Sequence, residues 1–138
     1  MRVENAVYPT AERIKSLSSE RAADGPIAMV NLLKFRAKAA YKDGRPSEIS
    51  GREAYMRYAT EMRKIVEGAG GRFVFAGSID ALVIGEVDEL WDVAAIVEYP
   101  SRAAFQQLVM SPEVQAIGVH REAGLAGQLL ILTTASEF

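Results

Sequence analysis

Three polar side chains sit where an apolar pattern leaves no obvious room for them. Asn31 is in the middle of IAMVNLLKF, residues 27–35. Arg121 falls on a helical stripe, four residues after Ile117 and four before Leu125, with Val114 on the same side. Glu98 interrupts the run between Val97 and Tyr99. An unpartnered buried amide costs about 1–3 kcal/mol, so Asn31 needs a hydrogen-bond partner. That partner is either a neighbouring strand, loop or water, or the carbonyl or hydroxyl of a ligand. A guanidinium on a buried stripe needs an acceptor of matching charge. Two are open: Glu98, in an ion pair that locks helix to sheet, or an anionic ligand between the two.

Other candidates are weaker. His120, the single histidine, lies about 100° around the helix from Arg121. It reads as a structural or surface residue, and serves as a general base only if it lines the same cavity. Tyr55 and Tyr58 fit a core stripe with their hydroxyls at its rim. Trp91 opens a strand after an acidic turn, a place at the end of a sheet or at a subunit edge. Glu86, Asp88, Glu89 and Asp92 lack the spacing of a calcium loop and read as a solvated turn. Arg36, Lys38, Lys42 and Arg45 read as a solvated basic loop, without the aromatic interleaving of a single-strand nucleic-acid binder. There is no dinucleotide fingerprint, P-loop or Gly-x-Ser-x-Gly elbow.

Composition narrows the classes further. With no cysteine, the chain has no disulfide, thiolate nucleophile or Cys-based metal site. One histidine excludes a multi-histidine centre within one chain. No metal and no cofactor are expected. A net charge of −2 gives no general attraction to nucleic acid or anionic lipid. The first ten residues lack the apolar core of a signal peptide, and no apolar run approaches the ~20 residues of a membrane span. A cytoplasmic location is expected.

The elements that position these residues follow from periodicity. YPTAERIKSL opens a short helix capped by Thr10, which ends before the breaker ADGP. Residues 27–35 form a strand, and 36–50 an exposed loop. SGREAYMRYATEMRKIVEGAGG is a helix with Ser50 and Glu53 as a capping box, an apolar stripe of Tyr55, Tyr58, Ala59, Met62, Ile65, Val66 and Ala69, and a glycine stop. RFVFAGSIDALVIG is a long extended stretch, bent near residues 77–80. WDVAAIVEYP is a strand, Ser101 caps a helix, Ser111-Pro112 restarts one, and GQLLILTT is the last strand.

The order after the first helix is β-α-β-β-α-β. The fold class is therefore α+β: a ferredoxin-like sheet with helices on one face and an extra N-terminal helix. One domain is expected over 1–138, with 1–25 as a helical extension and 26–135 as the core. The strands are apolar at both parities, as with Val93, Ala95 and Val97 against Ala94 and Ile96. Both sheet faces therefore need cover, and a second copy of the chain is the expected cover for the open one.

The stretches DGPIAMVNLLKF, SGREAYMRY, WDVAAIVEYPSRAAF, SPEVQ and HREAGLAGQLLIL together resemble a bacterial family of uncharacterised function, a domain of unknown function in the dimeric α/β-barrel superfamily, over about residues 8–134. The resemblance implies two ferredoxin-like sheets paired into a barrel. The superfamily includes cofactor-free monooxygenases, haem-degrading enzymes, lactone isomerases and small-ligand regulators, so fold alone does not set the reaction. The leading expectation is a homodimeric small-molecule-binding protein, with or without catalysis, whose pocket lies between sheet and helices. Its candidate residues are Asn31, Arg121, His120, Tyr55, Tyr58, Trp91 and Glu98. One alternative is a cofactor-free or haem-degrading type of monooxygenase, for which the resemblance implies Asn31, Trp91 and His120 around one pocket. The other is a dimeric scaffold or partner-binding module without chemistry.

Overall fold

The computed structural model describes residues 5–17 and 25–136. Three serines start the three long helices by one device: each side-chain oxygen accepts an otherwise orphaned backbone N–H of the first turn. Ser50 caps α2 (Gly51–Gly68), Ser101 caps α3 (Arg102–Met110) and Ser111 caps α4 (Pro112–Gly124). Ser50 Oγ also donates to the Glu53 carboxylate at 3.2 Å. Thr10 receives the N–H of Arg13 and starts the short helix α1 (Ala11–Leu17), whose apparent stop signal ADGP begins outside the described residues.

The strands are β1 (Ile27–Phe35), β2 (Arg72–Ser78), β3 (Val93–Tyr99) and β4 (Leu125–Thr134). They form one antiparallel sheet in the order β2-β3-β1-β4, the ferredoxin-like topology. The odd residues of β1 from Ile27 to Leu33 are buried under the helices, while the even ones are half-buried on the other face. Ile27, Leu33, Val66 and Leu125 are the largest fully buried side chains. Each contributes roughly 1.5–3 kcal/mol through apolar burial. The main core joins β1 and β3 to α2, α3 and α4 through Met29, Met62, Val97, Tyr99, Phe105, Leu108 and Val114.

Helices α2 and α4 cross at two glycines. A Cβ on Gly124 would lie 2.4 Å from the Gly51 carbonyl oxygen, and one on Gly51 would lie 2.7 Å from the Gly124 oxygen. Only hydrogen fits at either position. This close approach fixes where Tyr55, one turn into α2, stands relative to Arg121, in the last turn of α4.

The structure corrects three expectations. Strand β2 stops at Ser78 and its register shift lies between Phe73 and Phe75, so residues 79–92 form a long excursion instead of more strand. The loop over 36–50 is not simply exposed. Ala39 and Tyr41 are buried in a second small core with Ala54 and Ala123, and the Ala40 N–H donates to the Ala123 carbonyl at 2.9 Å. Ala69, placed on the apolar stripe of α2, is exposed at its end.

Candidate functional site

Asn31 is 8% exposed and points from β1 toward the helices. Its Nδ2 donates to the Met29 carbonyl at 3.3 Å, and its Oδ1 accepts from Gln128 Nε2 at 3.0 Å. Gln128 Oε1 in turn accepts from Arg121 Nη1 at 2.8 Å. The same Nη1 donates to the Val7 carbonyl, also at 2.8 Å. Asn31 on β1, Gln128 on β4 and Arg121 on α4 are therefore one hydrogen-bonded chain. Gln128 is on the helix side because the antiparallel register pairs it with Leu33, and paired residues share a face.

This chain forms the polar wall of a cavity of about 730 Å³ between helices and sheet. Tyr55, Tyr58, Phe73, Tyr99 and Phe105 supply its aromatic lining, and Met62, Val97 and Val114 extend its apolar surface. Such a mixture, mostly apolar with a few convergent polar groups, is the usual make-up of a small-molecule site. The Tyr55 and Tyr58 rings are in tilted contact, with centroids 5.5 Å apart and planes 53° from parallel. Burial pushes the Tyr55, Tyr58 and Tyr99 hydroxyls well above the ordinary phenol range, and the Arg121 charge partly opposes this at Tyr55 and Tyr58. All three are neutral donors near neutral pH.

The N-terminal segment closes one side. The Ala6 carbonyl accepts from the Gln128 N–H at 3.0 Å in an isolated bridge, and Tyr8, Pro9, Ile14 and Leu17 also line the cavity. The Tyr8 hydroxyl donates to Glu122, and the Arg121 guanidinium lies 5.1 Å from the Tyr8 ring centroid. Glu122 also pairs with Lys42 at 2.8 Å. The Lys42 hydrogen bond, then that of Tyr8, holds the Glu122 carboxyl below its ordinary range.

The remaining candidates are elsewhere. Glu98 is on the opposite sheet face and pairs with Arg72 at 3.1 Å, so the Arg121–Glu98 pair does not form. The cause is strand parity: Glu98 alternates with the inward Val97 and Tyr99. His120 accepts or donates at Nδ1 with the Tyr41 hydroxyl, 2.8 Å away, and lines a separate open cleft with Arg52, Met56 and Arg57. Trp91 packs near Gly127 at the end of the sheet, away from the cavity. Asn31, Trp91 and His120 therefore do not surround one pocket. Sequence reading missed Gln128, although its place as the fifth residue of GLAGQLLIL, on an otherwise apolar strand, is the same kind of signal that singled out Asn31. Among the described residues, no His, Asp or Glu cluster suits a metal ion, and no helix is long and apolar enough to cross a membrane.

Comparisons with known proteins agree with this architecture. A family model described as Domain of unknown function (DUF1330) matches residues 44–135. The crystal structure of methylated RPA0582 protein is 35% identical, with a TM-score of 0.87 over 96% of this chain and 96% of that one. A second structure of RPA0582, a protein of unknown function from Rhodopseudomonas palustris, is 34% identical, with a TM-score of 0.86 over 97% and 99%. SnoaB, a cofactor-independent oxygenase from Streptomyces nogalater, shares the fold at 15% identity, with a TM-score of 0.53 over 83% and 96%. No curated protein matches the chain.

Proposed function

This chain belongs to the family described as Domain of unknown function DUF1330, and on that footing we propose that it is a homodimeric small-molecule-binding protein with its pocket between sheet and helices. One observation carries the binding reading: the Asn31–Gln128–Arg121 chain lines a wall of a largely aromatic and apolar cavity. Buried polar groups tied in series on such a wall fix the orientation of a ligand whose body fills the apolar part. Tyr55 and Tyr58 are the further ligand-facing residues of this reading. Glu98, Trp91 and His120 are outside it.

The homodimer rests on the open sheet face. Val30, Leu32, Ile96, Leu129 and Ile131 share that face by register, and Phe75 on it is 57% exposed. The neighbouring excursion over residues 79–92 carries Val83 and Ile84, each 90% exposed. Such a contiguous apolar surface marks an interaction site, and a second copy presents the same surface in return. A cytoplasmic setting completes the reading, in keeping with the lack of cysteine.

The cofactor-free or haem-degrading alternative draws on likeness of fold alone, since Trp91 and His120 do not reach the cavity. The binding reading is tested with a neutral aromatic probe, 2-naphthylmethanol, followed by its own fluorescence. Saturable binding of one probe per chain is expected, and its loss in Ala95→Trp, which fills the cavity beside Asn31. Equal binding to both proteins, or none to the wild type, overturns the reading.

A further inference from the structure

The cavity wall is not electrically balanced. Among the described residues its cations are Arg13 and Arg121, and its one carboxylate is Glu122. The Glu122 charge is already engaged by Lys42 and by the Tyr8 hydroxyl. Arg121 meets only neutral acceptors, the Val7 carbonyl and the Gln128 amide oxygen, and both are taken by the single nitrogen Nη1. Among the described residues, its Nε and Nη2 have no hydrogen-bond partner. These two nitrogens form one parallel edge of the guanidinium fork, the edge that suits a carboxylate with two matched bonds.

The rest of the guanidinium is held in place. Gln128 holds Nη1 from the sheet, Asn31 holds Gln128, and the Tyr8 ring lies against the guanidinium. A pre-positioned fork loses little freedom when it binds, which increases its discrimination. The Tyr55 and Tyr58 hydroxyls, also without a protein partner among the described residues, add neutral donors on the α2 side. Aromatic walls suit a flat ring as the ligand body.

We propose that the cavity is selective for an aromatic monocarboxylate, which Arg121 grips on its Nε–Nη2 edge while Gln128, tied to Asn31, acts as the positioning residue. The proposal deepens the small-molecule reading and rests on it.

The test compares 2-naphthoate, ionised near neutral pH, with the neutral 2-naphthylmethanol of similar shape, by fluorescence titration of the full chain. Wild type should bind the carboxylate at least about tenfold more tightly than the alcohol. Arg121→Gln should abolish that preference by weakening naphthoate at least about tenfold more than it weakens the alcohol, and Arg121→Lys should restore part of it. Gln128→Leu should weaken naphthoate several-fold more than it weakens the alcohol, and its circular dichroism should match wild type. If both probes bind equally well to wild type, the carboxylate proposal fails while the pocket survives. A preference that persists in Arg121→Gln likewise overturns it. If neither probe binds, the pocket reading fails and the proposal with it.

Discussion

Gln128 and Asn31 are joined across the sheet by a 3.0 Å amide–amide hydrogen bond, although neither is the other's register partner. Asn31 is opposite Leu130, and Gln128 is opposite Leu33. They are diagonal neighbours on one face, within reach only because both side chains are long enough to close the gap. The bond explains how an asparagine is tolerated in IAMVNLLKF. It also gives Arg121 a sheet-borne acceptor in place of the carboxylate expected from sequence.

The first prediction concerns that bond. Asn31→Leu removes the acceptor and leaves a Gln128 N–H facing apolar surroundings. The expected cost is about 1–3 kcal/mol of stability in urea unfolding. In a Gln128→Leu background the same substitution should cost measurably less, with a coupling of about 1 kcal/mol. Strictly additive costs would show that the two amides act independently.

The second concerns the helix crossing. Gly124→Ala places a methyl group 2.4 Å from the Gly51 carbonyl oxygen and 2.8 Å from the Tyr55 amide nitrogen, both backbone atoms. Neither can move without displacing α2 from α4. A loss of roughly 2–4 kcal/mol is expected in the same denaturant assay. Gly118→Ala is the control, since its added methyl group would have no neighbour within 4 Å. It should be neutral or slightly stabilising, as alanine favours helix by about 0.8–1 kcal/mol.

The element order and helix starts were legible because they depend on local chemistry. Capping serines, breakers and a period of two or 3.6 are visible in one sequence. The odd placements of Asn31 and Arg121 were legible as well, as violations of those periods. Their connection through Gln128 was not, because it depends on how β1 and β4 slide past each other, a tertiary quantity. Glu98 was misassigned for the opposite reason. On a strand apolar at both parities, alternation does not reveal which face an odd residue takes. The buried Tyr41 was hidden in a loop of basic and polar residues, where composition hides a side chain that packs on α4.

The third prediction uses that tyrosine. Burial, then the nearby Arg45 and Arg57 charges, lower the His120 pKa from its ordinary 6.5. The folded state therefore takes up its proton at lower pH than the unfolded chain. Its contribution is fully present above pH 6.5 and is lost as pH falls through the interval just below that value. Stability should decline in that interval before the carboxylates begin to titrate. His120→Gln, which keeps a partner for the Tyr41 hydroxyl, should flatten the decline. Urea midpoints taken at closely spaced pH values decide the matter: an unchanged slope in the variant would mean that another group is responsible.

The fourth prediction concerns the open sheet face. Val83 and Ile84 are almost wholly exposed, so replacing them removes little packing within one protomer. Their surroundings in a dimer are different: an apolar excursion beside a sheet face carrying Phe75, Ile96 and Ile131 would be covered by the partner's equivalent surface. Introducing glutamate at both sites, Val83→Glu with Ile84→Glu, then buries two charges at the interface without a partner. Sedimentation velocity at micromolar concentration should give a dimer for wild type and a monomer for the double variant. Far-ultraviolet circular dichroism should be unchanged, because the helices and strands do not depend on these side chains. Ile131→Glu, 43% exposed on the sheet face itself, should weaken the dimer independently. A wild type that sediments as a monomer would end the dimer reading. A dimer that withstands all three substitutions would place the interface on another surface.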